Sequence, residues 1–290
     1  MKPSAFEYHA PRSVDEAVAV LAELGDGAKV LGGGQSLIPM LSLRLAYFDH
    51  LVDVGRISAL RYIRREPKAV EVGAATVDAA VEADREVVTA APLLARATPL
   101  IGHFQIRNRG TVGGSIAHAD PAAEYPAVAL AMDAEMEAIS ARGTRRIPAA
   151  AFFRDFWTTD LEPDELLASV RFPVWNGRCG FSVREFARRH GDFAVAGAVV
   201  AVELTGDDRI ERCTISLFGL GSTPRRAPEA ERAVQGHKAD FSSDELGRLA
   251  TSELTDVPSD VHGSARYRAR VGAAMVKRAW DEAIAEACRA

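Results

Sequence analysis

Cysteine is scarce in this chain: among 290 residues only Cys179, Cys213 and Cys288 carry a thiol, and they stand far apart. That spacing supports neither a disulfide framework nor a zinc site of paired cysteines, and three thiols fall short of the roughly four an iron–sulfur cluster takes. Long apolar runs are missing as well. Nothing approaches the roughly 18 apolar residues of a membrane span, and the opening Met1-Lys2-Pro3-Ser4-Ala5-Phe6-Glu7 holds no apolar core of signal-peptide length. The expectation is a cytoplasmic protein with no integral membrane segment. Basic charge is not in excess either; the net charge of −5 argues against a nucleic-acid-binding surface. Any anionic ligand must then be held by local backbone groups.

What is present is the make-up of a soluble globular protein, with 48% hydrophobic and 26% charged residues, long enough for two or three compact units. A short strand at 4–8 precedes Ser13-Val14-Asp15-Glu16, which reads as a capping box, and Val14, Ala17, Val18, Leu21 and Leu24 recur at helical spacing up to Gly25. Strands at 29–31 and 51–54 flank a short helix at 37–43. Residues 1–54 thus form a β-α-β-α-β unit, and loops at strand ends of such units are common ligand sites.

The texture changes at Ile57. Strands are expected at 60–63 and 69–73 around the turn Arg64-Arg65-Glu66-Pro67, followed by an alanine-rich helical region at 77–97, a hairpin around Arg142-Gly143 and a strand at 167–172. These make residues 55–173 a second unit facing the first. Beyond Pro173 and Asn176-Gly177, strands at 181–186, 196–204 and 212–220 and helices at 227–234, 244–251 and 265–288 make residues 174–290 a third unit, a three-stranded antiparallel sheet with helices.

Two glycine loops carry the chemistry. Gly32-Gly33-Gly34 follows a hydrophobic strand, and without Cβ atoms its N–H groups lie open to a phosphate, with Ser36 adding a hydroxyl. Thr111-Val112-Gly113-Gly114-Ser115 repeats the recipe with two hydroxyls. Each loop by itself also reads as a ligand-free turn or sheet corner. Two in different units point to one long ligand between them, and a pyrophosphate-bridged dinucleotide has that shape. The two better-known phosphate motifs are excluded: GxGxxG would need glycine where Leu37 stands, and no GxxxxGK[ST] string occurs. Asp53 mimics the ribose-binding acid of a Rossmann fold, but with that fingerprint broken it reads as structural.

The run from Lys29 through Gly32-Gly33-Gly34-Gln35-Ser36-Leu37, followed about 70 residues later by Gln105-Ile106-Arg107-Asn108-Arg109-Gly110-Thr111-Val112-Gly113-Gly114-Ser115, closely resembles the FAD-binding medium subunit of the aerobic carbon monoxide dehydrogenase and xanthine dehydrogenase family. The likeness extends to Asp120-Pro121, Pro163-Asp164-Glu165-Leu166-Leu167, Arg188-Arg189-His190-Gly191-Asp192-Phe193-Ala194 and Pro224-Arg225-Arg226-Ala227, nearly the whole chain.

The resemblance implies an α+β protein with the vanillyl-alcohol-oxidase-like (PCMH-type) two-subdomain FAD-binding fold, plus a C-terminal domain with a three-stranded antiparallel sheet and helices. It implies that Val30, Leu31, Gly32, Gly33, Gly34, Gln35, Ser36 and Leu37, with Thr111, Val112, Gly113, Gly114 and Ser115, hold FAD around its pyrophosphate. Ile101 would pack near the isoalloxazine, Leu167 would lie near it through its backbone, and Glu124, where relatives often have aspartate, would be a further contact. Arg184 and Glu185 stand where the family often has a lysine, and that role does not carry over. His118 lies close to the second loop and reads as structural or flavin-reaching. The FAD is expected to be non-covalent, since neither loop offers histidine or cysteine. The resemblance further implies a large subunit with the molybdenum cofactor and a small subunit with two [2Fe–2S] clusters, in a dimer of heterotrimers. The chain would take electrons from those clusters and pass them to an external acceptor. No catalytic residue and no metal ligand is assigned to it. A stand-alone flavin oxidase of the same superfold, and a non-redox nucleotide-binding or assembly protein, are the alternative readings.

Overall fold

The computed structural model describes residues 2–290 and arranges them around three sheets. The first holds β1 (Glu7–His9), β2 (Ala28–Leu31) and β3 (His50–Asp53), all parallel in the order β1-β3-β2, with helices α1 (Val14–Leu24) and α2 (Leu37–Ser42) as the crossovers. The capping box of α1 is displaced by one residue on its return side. Ser13 Oγ accepts from Glu16 N at 3.1 Å, but Glu16 reaches back to Arg12 N, not to Ser13 N. Gly25, at φ +51°, ends the helix and donates its N–H to Leu21 O.

The second sheet is antiparallel in the order β4-β5-β10-β6-β7, from β4 (Ile63–Glu66), β5 (Ala69–Gly73), β6 (Glu135–Ser140), β7 (Gly143–Pro148) and β10 (Leu166–Pro173). The hairpin expected at Arg142-Gly143 is present. The expected strand at 60–63 instead begins at Ile63, because Ser58–Leu60 forms a 3-10 turn and the reversal falls at Pro67 and Lys68. The single alanine-rich helix expected at 77–97 is three short helices, α3 (Asp78–Ala83), α4 (Arg85–Ala90) and α5 (Pro92–Ala97). Asp84 leaves the helical region to cap α4, its carboxylate accepting from Val87 N at 3.0 Å. Pro92 restarts the chain at α5.

Between these strands lie α6 (Phe104–Arg107), α7 (Val112–His118), α8 (Glu124–Ala131), α9 (Ala149–Phe152) and the small ribbon β8 (Phe153–Asp155) with β9 (Thr158–Thr159). Every residue of α8 is buried. Past Glu124 and Tyr125 its residues are apolar on every side, as suits the centre of a protein, and α8 is the shared spine between the second and third sheets. Its one hydroxyl is satisfied there, since Tyr125 Oη lies 2.9 Å from Thr98 Oγ1.

The third sheet is antiparallel: β11 (Arg178–Phe186), β12 (Ala196–Leu204) and β13 (Ile210–Phe218), with a fourth strand, β14 (Arg225–Arg226), on its edge. The expected three-stranded sheet therefore has four strands. The fourth is only two residues long and arginine-rich, which hides it from any apolar periodicity. Helices α10 (Pro228–Val234), α11 (Ser243–Ser252) and α12 (Ala265–Ala287) cover the far face, and the near face joins the central core beneath α8. In α12 the buried Arg268, Gly272, Met275, Val276, Ala279, Trp280, Ala283 and Ala287 recur at three- and four-residue spacing. Among the described residues no helix is long and apolar enough to cross a membrane.

The α12 contact also supplies a test of packing. A Cβ at Gly180 would lie 1.8 Å from the carbonyl oxygen of Ala283. Gly180→Ala must push α12 off β11 and should lower stability by about 1–3 kcal/mol, read as a fall in Tm. Gly206→Ala, where a Cβ meets nothing within 4 Å, should change it little. Equal melting of the two variants would refute this account of the contact.

Candidate flavin-binding groove

The two glycine loops are in contact with one another. A Cβ on Gly33 would lie 1.9 Å from Arg109 O and 2.8 Å from Gly110 Cα, and one on Gly32 would lie 2.9 Å from Thr111 Oγ1. Side chains at those positions would hold the loops apart. The junction opens into a groove of about 570 Å³, a usual size for a cofactor site.

The loops do different work within it. Among the described residues, the backbone N–H groups of Gly33, Gly34, Gln35 and Ser36 have no hydrogen-bond acceptor. Gly34, at φ +74°, turns the chain there, and Gln35 Nε2 ties the loop by donating to Gly33 O at 2.9 Å. In the second loop the donors are already used. Val112 N reaches Thr76 O, Gly113 N reaches Ala74 O at 2.9 Å, and Gly114 N reaches Thr111 Oγ1 at 3.0 Å. Gly113 is needed for close approach, because a Cβ there would lie 2.4 Å from that of Ala74. The first loop supplies free donors; the second is a rigid wall against which it is pressed.

Val30, Gly32 to Leu37, Ile101, Thr111, Gly113 to Ser115, Glu124 and Leu167 all line the groove. Leu31 and Val112 do not line it. Val112 is fully buried in the central core, and Leu31 packs beside Gly34. Arg107 holds the Ile101 turn in place, donating to Ile101 O at 3.2 Å and pairing with Glu82 at 2.8 Å. Asp53 caps its own turn, accepting from Gly55 N at 2.8 Å and from the Tyr8 hydroxyl. It lies outside the groove, in keeping with a structural role.

Further residues complete the walls, among them Trp157 and Phe48, which carry no sequence signal. Trp157, half exposed and at φ +51°, donates Nε1–H to Asp120 at 3.1 Å, with its ring parallel to that of His118. Such a backbone is rare for a bulky residue. Phe193 stands exposed beside Gly191, and Lys29 and Phe48 line another part of the wall. The hairpin of β8 and β9 presents Trp157 at its turn, and the antiparallel bridge of Val77 with Thr111 anchors the second loop.

Electrostatically the groove is less acidic than its residue list. Burial, with neighbouring Glu185, pushes Glu124 up to about 8, and burial pushes Asp78 and Glu185 up to about 7. Near neutral pH Glu124 is therefore mostly protonated and Asp78 and Glu185 about half so, which reduces their repulsion of an anion. Burial lowers the pKa of Lys29 and of His118. Free backbone donors at the centre, protonated acids and apolar or aromatic walls fit a dinucleotide with a charged middle and flat ends.

Raised carboxyl pKa values fix the sign of a stability effect. The folded chain keeps the Glu124 proton to about pH 8 while the unfolded chain releases it near the ordinary 4.5. The native state binds more protons in that window, so stability falls as pH rises through it, by several kcal/mol in all. Flavin-free protein should melt progressively lower from about pH 5 to about pH 8, and Glu124→Gln should flatten that slope. An unchanged slope in the variant would contradict the burial of an ionisable acid here.

Known proteins are similar to this chain in sequence and fold. Residues 4–175 match the family model described as the FAD binding domain in molybdopterin dehydrogenase, and residues 181–283 match the CO dehydrogenase flavoprotein C-terminal domain. The chain is 40% identical to the 6-hydroxypseudooxynicotine dehydrogenase complex subunit alpha of Paenarthrobacter nicotinovorans, over 98% of this chain and 96% of that one. It superposes on carbon monoxide dehydrogenase from Hydrogenophaga pseudoflava with a TM-score of 0.95 at 39% identity, covering 99% of each chain. On quinoline 2-oxidoreductase from Pseudomonas putida 86 the TM-score is 0.93 at 34% identity, again over 99% of each. With its fold and nearly all of its length matched, the chain belongs to the FAD-binding subunits of the carbon monoxide dehydrogenase and xanthine dehydrogenase type of molybdenum hydroxylase.

Proposed function

We propose that this chain is the electron-transfer subunit of a heteromeric molybdenum-dependent dehydrogenase. It takes electrons from the [2Fe–2S] clusters of a small partner subunit and hands them to an external acceptor, while a large molybdenum subunit handles the substrate. The assembly is a dimer of heterotrimers in the cytoplasm. The observation that carries the reading is the junction of the two loops, which makes one cradle from two parts of the chain. FAD bound there supplies a ring that accepts electrons singly and releases them in pairs.

The chain's own part is to bind and orient. The N–H groups of Gly33 to Ser36 would donate to the pyrophosphate, with the hydroxyls of Ser36 and Ser115 at hand. Ile101 would pack against the ring, and Leu167 would lie near it through its backbone. Glu124, mostly protonated through burial, would offer its O–H as a donor to the groove. No side chain needs to act as an acid or base on a substrate. Cys179 and Cys213 are buried and Cys288 is exposed, and none lines the groove, which supports iron–sulfur clusters held by a partner and a flavin without a thioether link.

Two measurements test this. Isolated chain should contain flavin but neither iron nor molybdenum, whereas the native complex contains all three; stoichiometric iron in the isolated chain would sink the relay reading. Denaturing the yellow protein should release all its flavin into solution, and colour that stays with the precipitated polypeptide would show a covalent link.

A further inference from the structure

Away from the groove, three metal-binding side chains converge at the edge of the parallel sheet. Glu7 pairs in register with His50, and His9 lies two residues further along β1, so all three project from the same face. His9 Nε2 lies 3.2 Å from His50 Nδ1, and His50 Nδ1 lies 3.5 Å from Glu7 Oε2. The three ligand atoms lie within 4.8 Å of one another. Ligands about 2.0–2.2 Å from a tetrahedral zinc ion stand about 3.3–3.6 Å apart, within about 0.1 Å of both His50 contacts. The remaining gap is one that Glu7 can close, because its side chain is largely exposed and free to turn.

A hydrogen-bond chain explains the cluster less well. His50 Nδ1 faces a ring nitrogen and a carboxylate oxygen at once, and the single proton it can carry serves only one of them. A cation satisfies all three atoms together. The half-buried imidazoles, fixed by neighbouring parallel strands, are pre-positioned, and the solvent side leaves room for a water as fourth ligand.

We propose that Glu7, His9 and His50 form a binding site for a divalent transition metal of the zinc type, separate from the flavin groove. Two imidazole nitrogens and one carboxylate oxygen suit Zn²⁺, and with tighter binding Cu²⁺, far better than Mg²⁺ or Ca²⁺. Its effect would be to fasten β1, a three-residue edge strand, to β3, which lies 41 residues further along the chain at the histidine pair. Binding to the folded state alone then raises stability.

The test is a calorimetric titration of the full-length chain with Zn²⁺, paired with Co²⁺ absorption to the red of the flavin bands. Wild type should bind one ion, show the visible bands of a low-coordinate cobalt site and melt at a higher temperature with Zn²⁺. His9→Gln and His50→Gln should each weaken binding by about 100-fold or more, and Glu7→Gln by about tenfold. Glutamine at His103 and His190, the other neighbouring histidine pair, should leave it unchanged. X-ray absorption of the wild-type zinc complex, which needs no variant to fold, should show two imidazole nitrogens at about 2.0 Å. Absence of saturable binding, an oxygen-only or sulfur-containing shell, or full affinity in both histidine variants would overturn the proposal.

Discussion

Between the carbonyl oxygen of Arg109 and the α-carbon of Gly33 there is room for a hydrogen and nothing larger, and the groove exists because that is so. The contact brings a loop from the small parallel sheet against a loop anchored to the second sheet. The second loop is held from behind by its own hydrogen bonds to Ala74 and Thr76. The first is thereby pressed against a fixed support with its N–H groups turned free. A phosphate-binding loop gains affinity when its donors are already in place, because little ordering is left for the ligand to impose.

The same economy shows in the charges. A chain of net charge −5 must hold a cofactor with an anionic centre, and several acids sit in or beside the groove. Burial eases the conflict by keeping Glu124 mostly, and Asp78 and Glu185 partly, protonated near neutral pH, at a cost in stability that α8 and the core around it offset. Glu124 opens the most deeply buried helix of the molecule. Its environment, more than its identity, decides whether it repels or donates.

Much of this was legible in the sequence, for identifiable reasons. Gly32 to Gly34 and Gly113-Gly114 announce close backbone approach whatever the fold, and α12 and the strands of the third sheet declare themselves by periodicity. What was hidden is what depends on distant segments meeting. Trp157 reaches the groove only through the ribbon of β8 and β9, β14 is a pair of arginines with no apolar pattern, and the alanine-rich run at 77–97 breaks where Asp84 prefers capping to helix. The division of labour between the loops was also invisible. Both read as donors, and only the fold shows that Thr76, Ala74 and Thr111 already occupy the second set.

The account stands or falls on where the pyrophosphate lies, and a crystal structure of the flavin-loaded protein measures that directly. Its oxygens should accept hydrogen bonds of about 3 Å from the backbone N–H groups of Gly33 to Ser36, with the second loop in contact through Gly114 and Ser115. A pyrophosphate held elsewhere, with those N–H groups facing only water, would contradict it.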